Sequence, residues 1–188
     1  MERVLPNRKK NRLPNFDYSS RRIYFVTICT RRMFCLFGNI NNGAMEKNIA
    51  GDMVVEQWEC LRRRYRMLKL HDFVVMPNHF HGIVEIVGEP LVGSREMVKH
   101  FDQVNRRKGQ LQEIVPTLSS IVGSFKSITT NEYIKLVKSK NIPRFDRSLW
   151  QRSFHDHVIR SEESLLKIQE YIANNPLKWE LDYYFQKT

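Results

Sequence analysis

Apolar positions along the chain fall into two spacings, one suited to strands and one to helices. From Arg22 to Thr30 the run Ile23-Tyr24-Phe25-Val26-Thr27-Ile28-Cys29 is β-branched and aromatic, with apolar side chains on both alternating faces, as expected for a central strand. A loop containing Gly38 and Asn41-Asn42-Gly43 follows. Ala50, Met53, Val54, Trp58, Leu61 and Tyr65 then recur at helical spacing and predict an amphipathic helix. Met67 to Met76 and Phe80 to Val87 read as an antiparallel pair of strands, separated by Pro77-Asn78, where proline cannot continue a ladder.

Beyond Pro116 the helical spacing returns at Leu118, Ile121, Val122, Phe125 and Ile128, with Thr117 placed to cap a second helix running to about Lys138. Pro143 closes that region, and Leu149 to Ile159 is a short strand candidate. Ser161 can cap a third helix, whose first turn holds Glu162 and Glu163. Asn175-Pro176 ends it, because the residue before proline is pushed out of helical geometry. The order strand, helix, strand, strand, helix, strand, helix predicts an α+β fold on the ferredoxin-like plan, an antiparallel sheet with helices packed on one face. No internal repeat is visible.

At 188 residues with 41% apolar composition, the chain can build one sizeable core but is short for two. The expected organisation is a basic arm over 1–20, a single domain over 21–180 with an insertion at about 88–116, and a C-terminal tail over 181–188. The insertion contains Gly93-Ser94, Lys99-His100 and Asn105-Arg106-Arg107-Lys108-Gly109 and has weak periodicity. Cys29, Cys35 and Cys60 are odd in number and form no Cys-x-x-Cys pair, which argues against a disulfide framework and for a reducing, cytoplasmic setting. No stretch approaches the roughly 18 apolar residues of a membrane span, so a membrane partner is not expected.

Charge narrows the partners. The net charge of +11 attracts polyanions through counterion release at phosphates, which makes nucleic acid the leading partner. Basic residues cluster in the arm up to Arg21 and Arg22, and again at Arg62, Arg63, Arg64 and Arg66 near a helix end. Lys126, on the polar side of the second helix, and Arg152 and Arg160 are candidate phosphate contacts.

Candidate chemistry concentrates in Pro77-Asn78-His79-Phe80-His81-Gly82. On a strand His79, His81 and Glu85 share one face and Phe80, Val84 and Ile86 the other, so two imidazoles converge on one spot. Neutral imidazole nitrogens bind divalent metals, and such a pair leaves coordination positions open. His155-Asp156-His157 has the same spacing and points one way too, toward DNA or toward the same site, and spacing does not separate the pairs. On the third helix Leu165, Ile168 and Ile172 form the buried stripe, while Tyr171 and Asn175 lie one turn apart on its flank. The amide offers a third metal ligand and the phenol a nucleophile; packing at the core edge and helix termination explain the same residues. Histidine ligation would also make activity fall below about pH 6.

Taken in order, Tyr24-Phe25-Val26-Thr27-Ile28-Cys29-Thr30 with Leu36-Phe37-Gly38, Met76-Pro77-Asn78-His79-Phe80-His81, Trp150-Gln151-Arg152-Ser153-Phe154-His155-Asp156-His157-Val158-Ile159-Arg160, and Tyr171-Ile172-Ala173-Asn174-Asn175-Pro176 resemble the REP-associated tyrosine transposases. These belong to the single-tyrosine HUH transposases of bacterial insertion sequences. The resemblance implies an HUH nuclease fold, His79 and His81 as ligands of Mg²⁺ or Mn²⁺, Asn175 as third ligand and Tyr171 as nucleophile. It also implies action on single-stranded DNA near palindromes that fold into hairpins, through a 5′-phosphotyrosine that another strand can reverse. Arg21, Arg22, Lys126, Arg152, His157 and Arg160 are the expected DNA contacts; no protein partner is indicated, and the chain is a monomer or homodimer. A noncatalytic nucleic-acid-binding module of similar fold is the alternative, and it forms no covalent adduct.

Overall fold

The computed structural model describes residues 22–87, 116–140 and 142–185. The basic arm, Arg21 and all but the last residue of the 88–116 insertion lie outside the described residues.

The fold is mixed α+β. Its main sheet is antiparallel and has four strands in the order β4-β5-β1-β6. They are β1 (Arg22–Cys29), β4 (Leu68–Val75), β5 (His79–Ile86) and β6 (His155–Ile159). β1 lies between β5 and β6, with Thr27 opposite both His81 and His155 and Phe25 opposite both Ile83 and His157. Opposed residues share a face, so both histidine pairs lie on the same side of the sheet.

The reverse side carries the larger core. Tyr24, Val26, Ile28, Phe80, Val84 and Ile86 pack there under α1 (Ile49–Arg64) and α2 (Leu118–Lys140), which contribute Val54, Trp58, Leu61, Ile121, Val122 and Phe125. Both helices are capped by side chains: Asn48 Oδ1 accepts from the amides of Ala50 and Gly51, and Thr117 Oγ1 accepts from Ser120 N. Gly82 sits where a Cβ would lie 2.7 Å from Trp58 and 2.8 Å from Phe80, so its missing side chain lets α1 close directly over the strand that carries the histidines.

Two helices therefore share one face, and α3 (Glu162–Asn174) covers the other. It packs Ile172 on Ile83 and Ile159, with Ile23, Phe25, Val74, Leu165 and Ile168 around them. The reason is already in β1: Phe25 and Ile23 are apolar on the side away from α1 and α2, and a strand apolar on both faces needs cover on both. Ser161 caps α3 at Ser164 N.

Two local expectations change. The stretch read as a loop between β1 and α1 contains a hairpin, β2 (Gly38–Asn41) with β3 (Ala44–Lys47). Asn42 and Gly43 both have positive φ, as a two-residue hairpin turn of the I′ type demands; the flanking strands are short and polar, so no alternation of apolar residues announces them. The final strand begins at His155 rather than Leu149, because Leu149 and Trp150 turn into the core and Trp150 Nε1 donates to Thr129 Oγ1. Among the described residues no helix is long and apolar enough to cross a membrane.

Candidate active site

The site grows from the turn that leads into β5. Asn78 is fully buried, and its Nδ2 donates to the Tyr184 carbonyl at 2.8 Å. That bond fixes which way the amide points, so Asn78 Oδ1 faces His79 Nδ1, also at 2.8 Å. An amide oxygen only accepts; His79 must therefore carry its proton on Nδ1 and present the Nε2 lone pair. His81 is held at its other nitrogen by Thr27 Oγ1, 2.8 Å from Nδ1. The two Nε2 atoms are 3.0 Å apart.

Burial dominates the electrostatics. The rings are enclosed by Phe25, stacked on His81 at 5.1 Å, and by Trp179 and Tyr184 beside His79. Desolvation lowers the His79 pKa to about 3 and takes His81 well below its ordinary value, with His79 lowering it further and the Asp182 charge opposing. Both imidazoles stay neutral at physiological pH, the state in which they bind metals.

A carboxylate completes the cluster. After α3 the chain makes a short 3₁₀ turn over Pro176–Leu181 and brings Asp182 back to the histidines, so that ligand atoms of His79, His81 and Asp182 all lie within 4.8 Å of one another. Asp182 is oriented at both oxygens: Oδ1 accepts from Tyr184 N at 2.7 Å, and Oδ2 accepts from Asn175 Nδ2 at 2.9 Å. With its donor face so used, Asn175 leaves Oδ1 buried and without a hydrogen-bond partner among the described residues. An orphaned buried amide oxygen costs about 1–3 kcal/mol unless something accepts its lone pairs. Two neutral imidazoles, a carboxylate and this oxygen are a donor set that suits a divalent cation, and the His/His/Asp cluster is capable of metal coordination.

Tyr171 projects from α3 onto the same spot. Its hydroxyl is 3.2 Å from His81 Nε2, and its ring meets Phe25 and His81 edge-on. The residue is 42% exposed, which leaves it open from solvent. Burial, then the Asp182 charge, push its pKa up to about 12, with Asn175 acting in the opposite direction.

The structure thus brings four of the expected residues, His79, His81, Tyr171 and Asn175, into one cluster. His155 and His157 are exposed on the edge strand, flanking the site on its own face; the His155 ring centroid is 6.5 Å from that of Tyr184. Arg22, Arg152 and Arg160 are exposed. Lys126 departs from the expectation of a phosphate contact: its ammonium donates to the carbonyls of Gln151, Arg152 and Ser153 at 2.5, 3.1 and 3.5 Å, which ties α2 to the segment before β6. Sequence reasoning missed Asp182, Tyr184, Thr27 and Asn78. Asp182 and Tyr184 lie in the stretch expected to be a tail, where the one signal is an acid set among aromatics. Asn78 was read as a turn residue.

An uncharacterized protein of Haemophilus influenzae is 38% identical to this chain over 177 residues, covering 94% of this chain and 92% of that one. The chain belongs to the same family as that protein. No family model matches it. Among solved structures, a REP-associated tyrosine transposase bound to a REP hairpin is 18% identical with a TM-score of 0.49, covering 89% of this chain and 74% of that one. A Deinococcus radiodurans chain described as a candidate transposase is 16% identical with a TM-score of 0.38, covering 87% and 95%. Likeness at this level assigns neither an activity nor a substrate.

Proposed function

We propose that this chain is a divalent-metal-dependent endonuclease and strand transferase for single-stranded DNA, with Tyr171 as nucleophile. The observation that carries the reading is the Tyr171 hydroxyl 3.2 Å from His81 Nε2, at the rim of a cluster that can hold a cation. His79, His81 and Asp182 would hold the metal, with Asn175 Oδ1 as the further donor. When bound, a divalent cation supplies charge neutralisation for a phosphate oxygen and for the phenolate.

The chain's own groups do the rest. Asn78 and Thr27 fix the two rings, and Tyr184 N and Asn175 fix the carboxylate, so no ligand has to be ordered when substrate arrives. The Tyr171 hydroxyl gives its proton to solvent, its oxygen forms a bond to phosphorus as the bond to the 3′ oxygen breaks, and that oxygen leaves as a hydroxyl after taking up a proton from solvent. The 5′ end stays on the tyrosine, and a 3′-hydroxyl reverses the step without an outside energy source. The order of the four sequence motifs supports hairpin-forming palindromes as the DNA. Arg22, Arg152, His157 and Arg160 are proposed contacts to it.

The test is a denaturant-stable protein–DNA adduct with labelled single-stranded hairpins in Mn²⁺ or Mg²⁺. The adduct should form in the native protein and be absent in Tyr171→Phe, while Tyr171→Phe keeps its metal affinity. Cleavage that persists in that variant would mean water is the nucleophile. No adduct with any hairpin, with binding retained, would mean a noncatalytic binding module.

A further inference from the structure

Strand register gathers one set of chain ends far from the tyrosine. Arg22 opens β1 opposite Ile86, Leu68 opens β4 opposite the same residue, and Ile159 near the end of β6 lies opposite Ile23. α1 finishes at this pole, with Arg62 Nη2 donating to the Leu70 carbonyl at 3.5 Å. His79, opposite Cys29, marks the other pole. Seven residue steps along β1 at roughly 3.4 Å each put the poles about 24 Å apart.

The far pole is rich in arginine. Arg62, Arg63 and Arg64 are exposed at the end of α1, and Arg66, before β4, Arg22, at the start of β1, and Arg160, after β6, lie at the same end of the sheet. Of its acids, Glu85 pairs with Lys69 at 3.5 Å and His71 at 2.8 Å and Glu163 with Lys167 at 2.6 Å, while Glu59, one turn before Arg62 and Arg63 on α1, and Glu162, in the first turn of α3, are exposed. The helix dipole favours a cation in a last turn, but three consecutive arginines fan over about 200° of the helix and serve more than that. The two poles also differ in kind. Single strands are held by stacking on exposed aromatics, and the exposed aromatics among the described residues, Phe34, Tyr171 and Tyr183, are not at this pole; Tyr171 and Tyr183 stand at the tyrosine site. A surface of guanidinium groups whose neighbouring ring, Tyr65, is half-buried with its hydroxyl bonded to Ser120 and Ser124 instead suits the phosphates of a duplex.

We propose that the arginine pole is a second nucleic-acid contact, which binds the backbone of a duplex stem while the unpaired flank reaches Tyr171. This rests on the nucleic-acid reading above. Tyr171 meets His81, which lies opposite Thr27 five residue steps from Arg22, and α1 lies on the other face of the sheet, so stem and flank together must span at least about 17 Å, or about five base-pair steps.

The test is equilibrium binding in a Tyr171→Phe background at fixed Mn²⁺ over a salt series, using a stem-loop with a 3′ flank and an unpaired oligonucleotide of the flank alone. Replacing Arg62, Arg63 and Arg64 by Gln should lower the hairpin's log K versus log salt slope by about 0.9 per lost phosphate contact, up to about 2.7, and leave the unpaired strand nearly unaffected. Replacement by Lys should retain the slope. An unchanged hairpin slope, or an equal loss on both DNAs, overturns the proposal and leaves the Tyr171 reading intact. No binding of either DNA by the parent protein overturns both.

Discussion

Asn78→Ala tests the logic of the site at its least conspicuous point. The side chain touches no substrate in the proposed reaction; it accepts from His79 Nδ1 and donates to the Tyr184 carbonyl, joining residues 106 positions apart. Truncation leaves a ring N–H and a carbonyl without partners in a buried space, at about 1–3 kcal/mol each, so about 2–6 kcal/mol in all, with the low end reached if a water enters. For a domain of this size that is a fall of about 4–24 °C in Tm. Metal affinity should drop about 10–100-fold, because the His79 tautomer is no longer fixed and the segment carrying Asp182 is untied. Calorimetric Mn²⁺ titration and thermal unfolding read the two effects. Asn78→Asp keeps the acceptor for His79 but loses the donor to Tyr184, and should hold metal better than the alanine variant while remaining destabilised. Native-like Mn²⁺ affinity in Asn78→Ala, in protein shown to be folded, would refute the assignment of Asn78 as the residue that positions the histidines.

Three further outcomes follow from the geometry. Asp182→Asn should keep the fold and weaken Mn²⁺ binding, and it should lower the Tyr171 pKa, seen by ultraviolet titration, since the carboxylate is one cause of its rise. The buried histidines make the metal-free protein acid-labile: the unfolded chain takes up protons below about 6.5 that folded His79, at about 3, does not. Stability is thus full above pH 6.5 and is lost as pH falls toward 3, by up to about 1.4 kcal/mol per unit for each histidine, which urea melts across that range would show. The same depression means that loss of activity near pH 6 from simple imidazole protonation is not expected. Gly82→Ala should cost about 1–3 kcal/mol by driving a methyl into Trp58 and Phe80, and a Tm equal to the native value would contradict the close approach of α1.

Much of this was legible in the chain because periodicity is a strong signal where elements are long and half-buried. The alternation on β5 separated His79 and His81 from Phe80 and Val84, and the helical stripe of Leu165, Ile168 and Ile172 placed Tyr171 on its flank. What escaped detection depends on contacts between distant segments. The apolar Ile23 and Phe25 required cover on a second face, yet only tertiary packing shows that α3 supplies it. Asp182 follows an irregular 3₁₀ turn that has no repeat to read, and Lys126 looked like a free surface cation until its three carbonyl partners were in place. The polar hairpin over Gly38 to Lys47 carried its Asn-Gly turn in plain view, but without apolar alternation beside it.

The two faces of the sheet differ in how firmly they are held. α1 and α2 bury a large cluster, whereas α3 has Ile172 as its one fully buried residue among the side chains it sets on the sheet. Amide exchange should therefore be graded across the molecule: slowest in β1 and β5, and faster in α3, whose opening exposes little apolar surface. Tyr171, the proposed nucleophile, and the amide that steadies Asp182 ride on this weaker layer, while the imidazoles belong to the strongest. Small fluctuations of one helix can thus take the site apart and reassemble it while the rest of the protein stays folded.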